Sequence, residues 1–171
     1  MCFSFQAMVA FFLKVNCMQV RKAISAGLYG TTAMTAFSYA LAARKKNDFR
    51  EPALLAKILH RKGLKKPVAK ISGWLVHYAV GFLFTFVYDA VWRKKNVRIV
   101  PSGIGMGGIC GLIAIAAWKT TFKLQTIPPL ISYKKFYRQL VIAHLVFGYF
   151  SALGYKAQAK ALPPAKRKEP S

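Results

Sequence analysis

Residues 71–92 read ISGWLVHYAVGFLFTFVYDAVW, with one charged residue, Asp89, near the far end. A run of this length, rising about 1.5 Å per residue as a helix, crosses a hydrocarbon core of about 30 Å with its backbone hydrogen bonds closed internally. Three more such runs lie outward from it. Residues 23–43 read AISAGLYGTTAMTAFSYALAA, residues 99–118 IVPSGIGMGGICGLIAIAAW, and residues 139–155 QLVIAHLVFGYFSALGY. Trp92, Trp118, Tyr137 and Tyr155 sit at their ends, where aromatic belts form. The sequence therefore predicts an all-α integral membrane protein, a four-transmembrane-helix bundle in one domain.

Charge supports that reading by where it falls. The 171 residues hold 27 Lys+Arg and 4 Asp+Glu, for a net charge of +23. Spread over a soluble fold, this would point to nucleic acid. Here the basic residues sort into short patches between uncharged runs, so a nucleic-acid partner is not expected and the lipid bilayer is. Cys2, Cys17 and Cys110 have neither disulfide-framework nor metal-ligand spacing.

The connections carry information too. Within residues 44–70, Glu51-Pro52 suits a helix start and Gly63 a stop, while Leu54, Leu55, Ile58 and Leu59 form one stripe opposite Lys57, Arg61 and Lys62. This predicts an amphipathic helix over about 52–62, lying among anionic headgroups. Residues 119–138 are basic, aromatic and broken at Pro128-Pro129. Met18 opens MQVRKAISAG, a natural start for a membrane protein. The first 17 residues therefore read as an upstream extension of the N-terminal segment 1–22, with an interfacial segment as the alternative. Residues 156–171 read as a disordered basic tail. An even number of spans places both termini on one side. The positive-inside rule barely orients the bundle, because Lys/Arg divide fifteen against twelve between the two faces.

The spans also pair. His77-Tyr-Ala-Val-Gly81 matches His144-Leu-Val-Phe-Gly148, and a Tyr follows each His after eleven residues, at Tyr88 and Tyr155. AGLYG (26–30) resembles SGIGMGG (102–108). Two related hairpins result, parallel about an axis along the membrane normal. That arrangement puts His77 and His144 at equal depth, each on a stripe with its Tyr.

Gly27, Gly30, Gly81, Gly148 and the Gly103–Gly107–Gly111 ridge read as close-packing positions, the ridge also suiting contact with a second copy in a homodimer. Asp89, one turn before Arg93, reads as a local ion pair, with a coupling carboxylate as the alternative.

His77 and His144 admit three readings. They can bond to neighbouring helices, line a proton or solute path with Tyr88 and Tyr155, or ligate a b-type haem as a bis-imidazole pair. No catalytic constellation, metal cluster or cofactor fingerprint is present in the sequence, so no enzyme activity and no cofactor are expected.

GTTAMT (30–35), GWLVHYAVG (73–81), WKTTFKL (118–124) and AHLVFG (143–148) together resemble small four-span bacterial inner-membrane proteins of the Bacteroidetes type, and more loosely the YagU-type membrane proteins. The resemblance covers about Met18–Lys156. It implies the inner membrane and a helical bundle, and supplies no substrate and no catalytic residue. The expected function is that of a non-enzymatic structural or accessory component, with a small transporter or channel, or a haem-binding electron carrier, as alternatives.

Overall fold

In the computed structural model, which describes residues 3–45, 49–93 and 98–161, five α-helices and no strands are present among the described residues. They are α1 (Phe3–Lys45), α2 (Glu51–Arg61), α3 (Lys66–Trp92), α4 (Ile99–Lys123) and α5 (Tyr133–Ala161). Several bounds exceed those read from the sequence. α1 runs unbroken from Phe3, so the helix does not begin at the first apolar span. α5 starts six residues before the fourth span and continues through 156–161, where a disordered tail is expected. The rest of that tail, 162–171, lies outside the described residues.

Among the described residues, three helices are long and apolar enough to cross a membrane: Lys66–Trp92, Ile99–Lys123 and Tyr133–Lys160. They turn large apolar side chains outward. Leu75, Leu83 and Leu112 are 62–65% exposed. The polar groups Thr31, Thr35, Ser38, His77 and His144 are buried instead. A water-soluble surface does not carry so dense an apolar cover.

α1 is not among the three. Its span is Gly, Ala, Ser, Thr and Tyr as much as Leu and Ile, and the reason is its position. α1 packs against both α3 and α5, and the stripe Ala23, Ala26, Gly27, Gly30, Thr31, Met34, Thr35 and Ser38 is buried between them. Small residues there let the helix axes come close.

The remaining contacts set the architecture. α4 packs on α5, α2 packs on α3, and α3 and α4 scarcely touch. Around the bundle the order is therefore α3, α1, α5, α4, closed tightly at every seam except the last.

The glycines singled out in the sequence sit at those tight seams. A Cβ on Gly103 would lie 2.6 Å from the Gly148 carbonyl oxygen, and one on Gly148 would meet the Gly103 carbonyl in turn. Gly107 and Gly111 face His144 and Val141 on α5. The ridge is thus consumed inside the chain, on α5, and does not offer the face for a second copy that its spacing suggests. Gly27 meets Phe82 and Thr85, Gly81 meets Thr31, and Gly30 meets Ser151 and Phe147.

α2 also differs from expectation. It forms an antiparallel hairpin with the start of α3, turning at Gly63 (φ +103°), a left-handed position glycine adopts without strain. Leu54 and Ile58 do not face lipid. They join Phe49, Trp118, Phe122, Phe136 and Leu140 in a core cluster of the protein itself. The amphipathic pattern is real, but α4 and α5 supply the apolar surface that covers it.

Candidate functional site

Where α3 and α4 stand apart, a cavity of about 190 Å³ opens beneath α2. Its walls are mainly aliphatic and aromatic: Val76, Val80 and Phe84 from α3, and Ile113, Ala117 and Trp118 from α4. Val76, Val80 and Ile113 are 40–51% exposed, so the cavity opens sideways between the two helices. Three buried polar residues, His77, His144 and Glu51, also line it.

The two histidines come from different helices and reach one cavity. His77 Nε2 lies 2.9 Å from Thr35 Oγ1 on α1. The single Thr35 hydroxyl proton goes to the Thr31 carbonyl at 2.7 Å, so the imidazole N–H must donate to Thr35. Nδ1 of neutral His77 then keeps its lone pair. His144 Nδ1 lies 2.8 Å from the Leu140 carbonyl, which can only accept, so here Nδ1 carries the proton and Nε2 keeps the lone pair. Each imidazole is fixed in one tautomer by a different kind of partner.

Glu51 is the member that sequence reading misses, because it presents itself there only as a helix start in a charged connection. Its side chain is 3% exposed at the first residue of α2. Oε1 accepts from the Ser38 hydroxyl of α1 at 3.2 Å, and Oε2 has no hydrogen-bond partner. Burial pushes its carboxyl up to about 7, against the opposing pull of its backbone hydrogen bond and of Ser38.

Tyr88, Tyr155 and Asp89 do not join this site. They lie toward the other end of α3, beyond an aromatic layer. Phe84 and Phe147 meet edge-on at 6.3 Å and Tyr88 and Phe147 edge-on at 5.8 Å, while Trp92 and Tyr155 lie tilted at 4.8 Å. The Tyr88 hydroxyl donates to Cys110 Sγ at 3.4 Å. Asp89 pairs with Arg93 at 3.1 Å and also accepts from the Tyr155 hydroxyl at 2.8 Å, an α3–α5 link absent from the sequence reading. The His/Tyr stripes thus separate into the cavity near α2 and an aromatic, hydrogen-bonded clasp at the opposite end.

Among the described residues, no group of three or more His, Cys, Asp or Glu side chains is disposed to hold a metal ion. The lone pairs available for ligating an iron are unlike, Nδ1 on His77 and Nε2 on His144. The site can accept hydrogen bonds within an apolar enclosure. No protein-family model, no curated protein and no solved structure matches the chain.

Proposed function

We propose that this chain is a four-span integral membrane protein, of the bacterial inner-membrane kind its motifs resemble, that binds a lipid-soluble molecule in the α3–α4 cavity and carries out no covalent chemistry. The observation that carries this reading is the lateral opening: Val76, Val80 and Ile113 line an apolar cavity and also lie on the outward-turned surfaces of α3 and α4. A guest dissolved in the bilayer reaches such a cavity without crossing water.

In this reading α1 crosses with the other three long helices, screened by α3 and α5 on its small-residue face and presenting Ile24 and Leu28 to lipid. Both termini then share a side. The exposed Lys62, Lys65, Lys66 and Lys70 at the α2–α3 turn suit anionic headgroups. A homodimer, if formed, uses a face other than the glycine ridge.

Descent from two hairpins is supported by matching contacts. With Gly27 set against Gly103, the Gly27–Thr85 contact corresponds to Gly103–Ala152, and Gly81–Thr31 to Gly148–Gly107. The Thr35 that holds His77 corresponds to Gly111, which lies against His144. Lacking a hydroxyl there, His144 turns to its own helix.

The test uses the full chain in phospholipid nanodiscs, with Trp74→Phe and Trp92→Phe so that Trp118 alone reports. A brominated fatty acyl probe should quench Trp118, and Ala117→Phe should abolish most of that quenching by filling the cavity. Quenching that Ala117→Phe leaves untouched would overturn the reading.

A second reading, a small transporter, draws on the arrival of both histidines at one cavity. Its path would have to pass the Phe84, Phe147 and Tyr88 layer. Proton or solute flux in proteoliposomes that survives joint replacement of His77 and His144 by Ala counts against it.

A further inference from the structure

Building on the cavity reading above, we infer that the head of the bound molecule is an uncharged hydroxyl group, which accepts from the Glu51 carboxyl and donates to His77 or His144 while its apolar body lies between α3 and α4. The class is a lipid alcohol or phenol: an aliphatic or isoprenoid alcohol, or the reduced ring of a quinol.

The argument starts from hydrogen-bond balance. A buried polar group without a partner is costly, so a guest that stays in this cavity must answer the groups on its walls. Two of those groups are acceptors with capacity left, and the third, Glu51, is a donor while its buried carboxyl is neutral. Glu51 Oε2 has no partner. Nδ1 of His77 and Nε2 of His144 keep their lone pairs because the other nitrogen of each ring is engaged. The Thr121 hydroxyl, also on the wall, gives its proton to the Ala117 carbonyl at 2.8 Å and so adds a further acceptor. Trp118, also on the wall, carries an indole N–H as a second donor. Acceptors and donors are both left over, so the guest must bring a group that donates and accepts.

Charge separates the two obvious donors, an ammonium and a hydroxyl. The chain carries +23 overall, and the turn joining α2 to α3 presents Lys62, Lys65 and Lys66. That field opposes a cation. Glu51 is the one acid on the cavity wall, and its burial favours the neutral carboxyl, which weakens the pull on an ammonium further. A hydroxyl meets the acceptors without either penalty. It can also accept from the Trp118 indole or from a protonated Glu51, which an ammonium cannot do. An anionic head fails on the same walls, since the two imidazole lone pairs would face it.

The experiment is photolabelling of the full chain in nanodiscs with dodecanol carrying a mid-chain diazirine, followed by peptide mapping. The result expected is labelling of the wall segments around Val76–Val80 and Ile113–Ala117, displaced by unlabelled dodecanol at roughly three- to tenfold lower concentration than by dodecyl methyl ether, which keeps the chain and loses the donor. Glu51→Gln with His144→Phe should erase that preference while chain labelling persists, which separates loss of the head contact from loss of folding.

Equal competition by alcohol and ether overturns the hydroxyl assignment and leaves the cavity reading standing. Stronger competition by dodecylamine overturns it in favour of a cation. Absence of labelling at both wall segments overturns the assignment and the cavity reading together. A quinol competing better than dodecanol upholds the assignment and selects the phenolic source.

Discussion

Replacing Glu51 by glutamine should flatten the dependence of stability on pH. The carboxyl is buried at the start of α2, with one oxygen bonded to Ser38 and the other unanswered, and burial lifts it from 4.5 to about 7. The folded protein thus holds this proton more tightly than the unfolded chain does. The stability contributed by this carboxyl is fully present below about pH 4.5, is lost as pH rises toward about 7, and is absent above it. At about 1.4 kcal/mol per unit, the ionised carboxylate costs the folded state up to about 3 kcal/mol at high pH. For a chain of this size that corresponds to roughly 6–12 °C in Tm. The Gln variant has no carboxylate to bury, so its stability should not fall across this window, and above about pH 8 it should exceed the parent by most of that difference. Thermal unfolding in detergent, followed by tryptophan fluorescence across the pH range, measures both curves. His77 and His144 line the same cavity and are unchanged in the variant, so their contribution appears equally in both. Parallel curves for parent and Glu51→Gln would refute the reasoning, because the pH dependence would then belong to other groups.

Other outcomes follow from the packing. Gly148→Leu places a side chain against the Gly103 backbone and should cost about 1–3 kcal/mol or block folding, whereas Gly105→Leu, with open space around it, should be nearly neutral; expression and unfolding in detergent compare the two. Tyr155→Phe removes the α3–α5 hydrogen bond to Asp89 and should cost about 0.6–1.7 kcal/mol, with a double-mutant cycle against Asp89→Asn showing coupling; strict additivity would mean the bond contributes nothing. Protein purified from membranes should show no Soret band, and a band lost in His77→Ala and His144→Ala would revive the haem reading. Cys110 is buried beside Tyr88, so a water-soluble maleimide should label it only after unfolding; rapid labelling of the folded protein would contradict that packing.

The helical architecture was legible because lipid-facing helices advertise themselves in runs such as 71–92 and 99–118, where solvent-facing helices would be broken by charge. The two histidines were legible for the complementary reason: an imidazole inside such a run stands out. Glu51 was not, since an acid before a proline in a basic connection looks like any solvated helix start, and only the folding of α2 back onto α3 buries it. Thr35 was equally silent. A small hydroxyl residue in a small-residue helix has no periodic signature, and its bond to His77 depends on how α1 meets α3. The stripe on α2 was read correctly as apolar, but periodicity cannot say whether lipid or protein covers it. The glycine ridge shows the same ambiguity, since spacing announces a close contact without naming the partner. The thinness of the α3–α4 seam had no sequence signal at all, being a property of which seams the small residues close.

That uneven closure has a mechanical consequence. α1 and α5 form a close-packed spine, with Gly30 against the Phe147 carbonyl and Gly154 against the Ser25 carbonyl, so that backbone meets backbone. α3 and α4 hang from it like two covers, braced at one end by α2 and at the other by the bond from Trp92 to Ser102. Parting the covers between those braces disturbs no backbone contact of the spine, so the free edge can widen while the rest of the bundle keeps its shape.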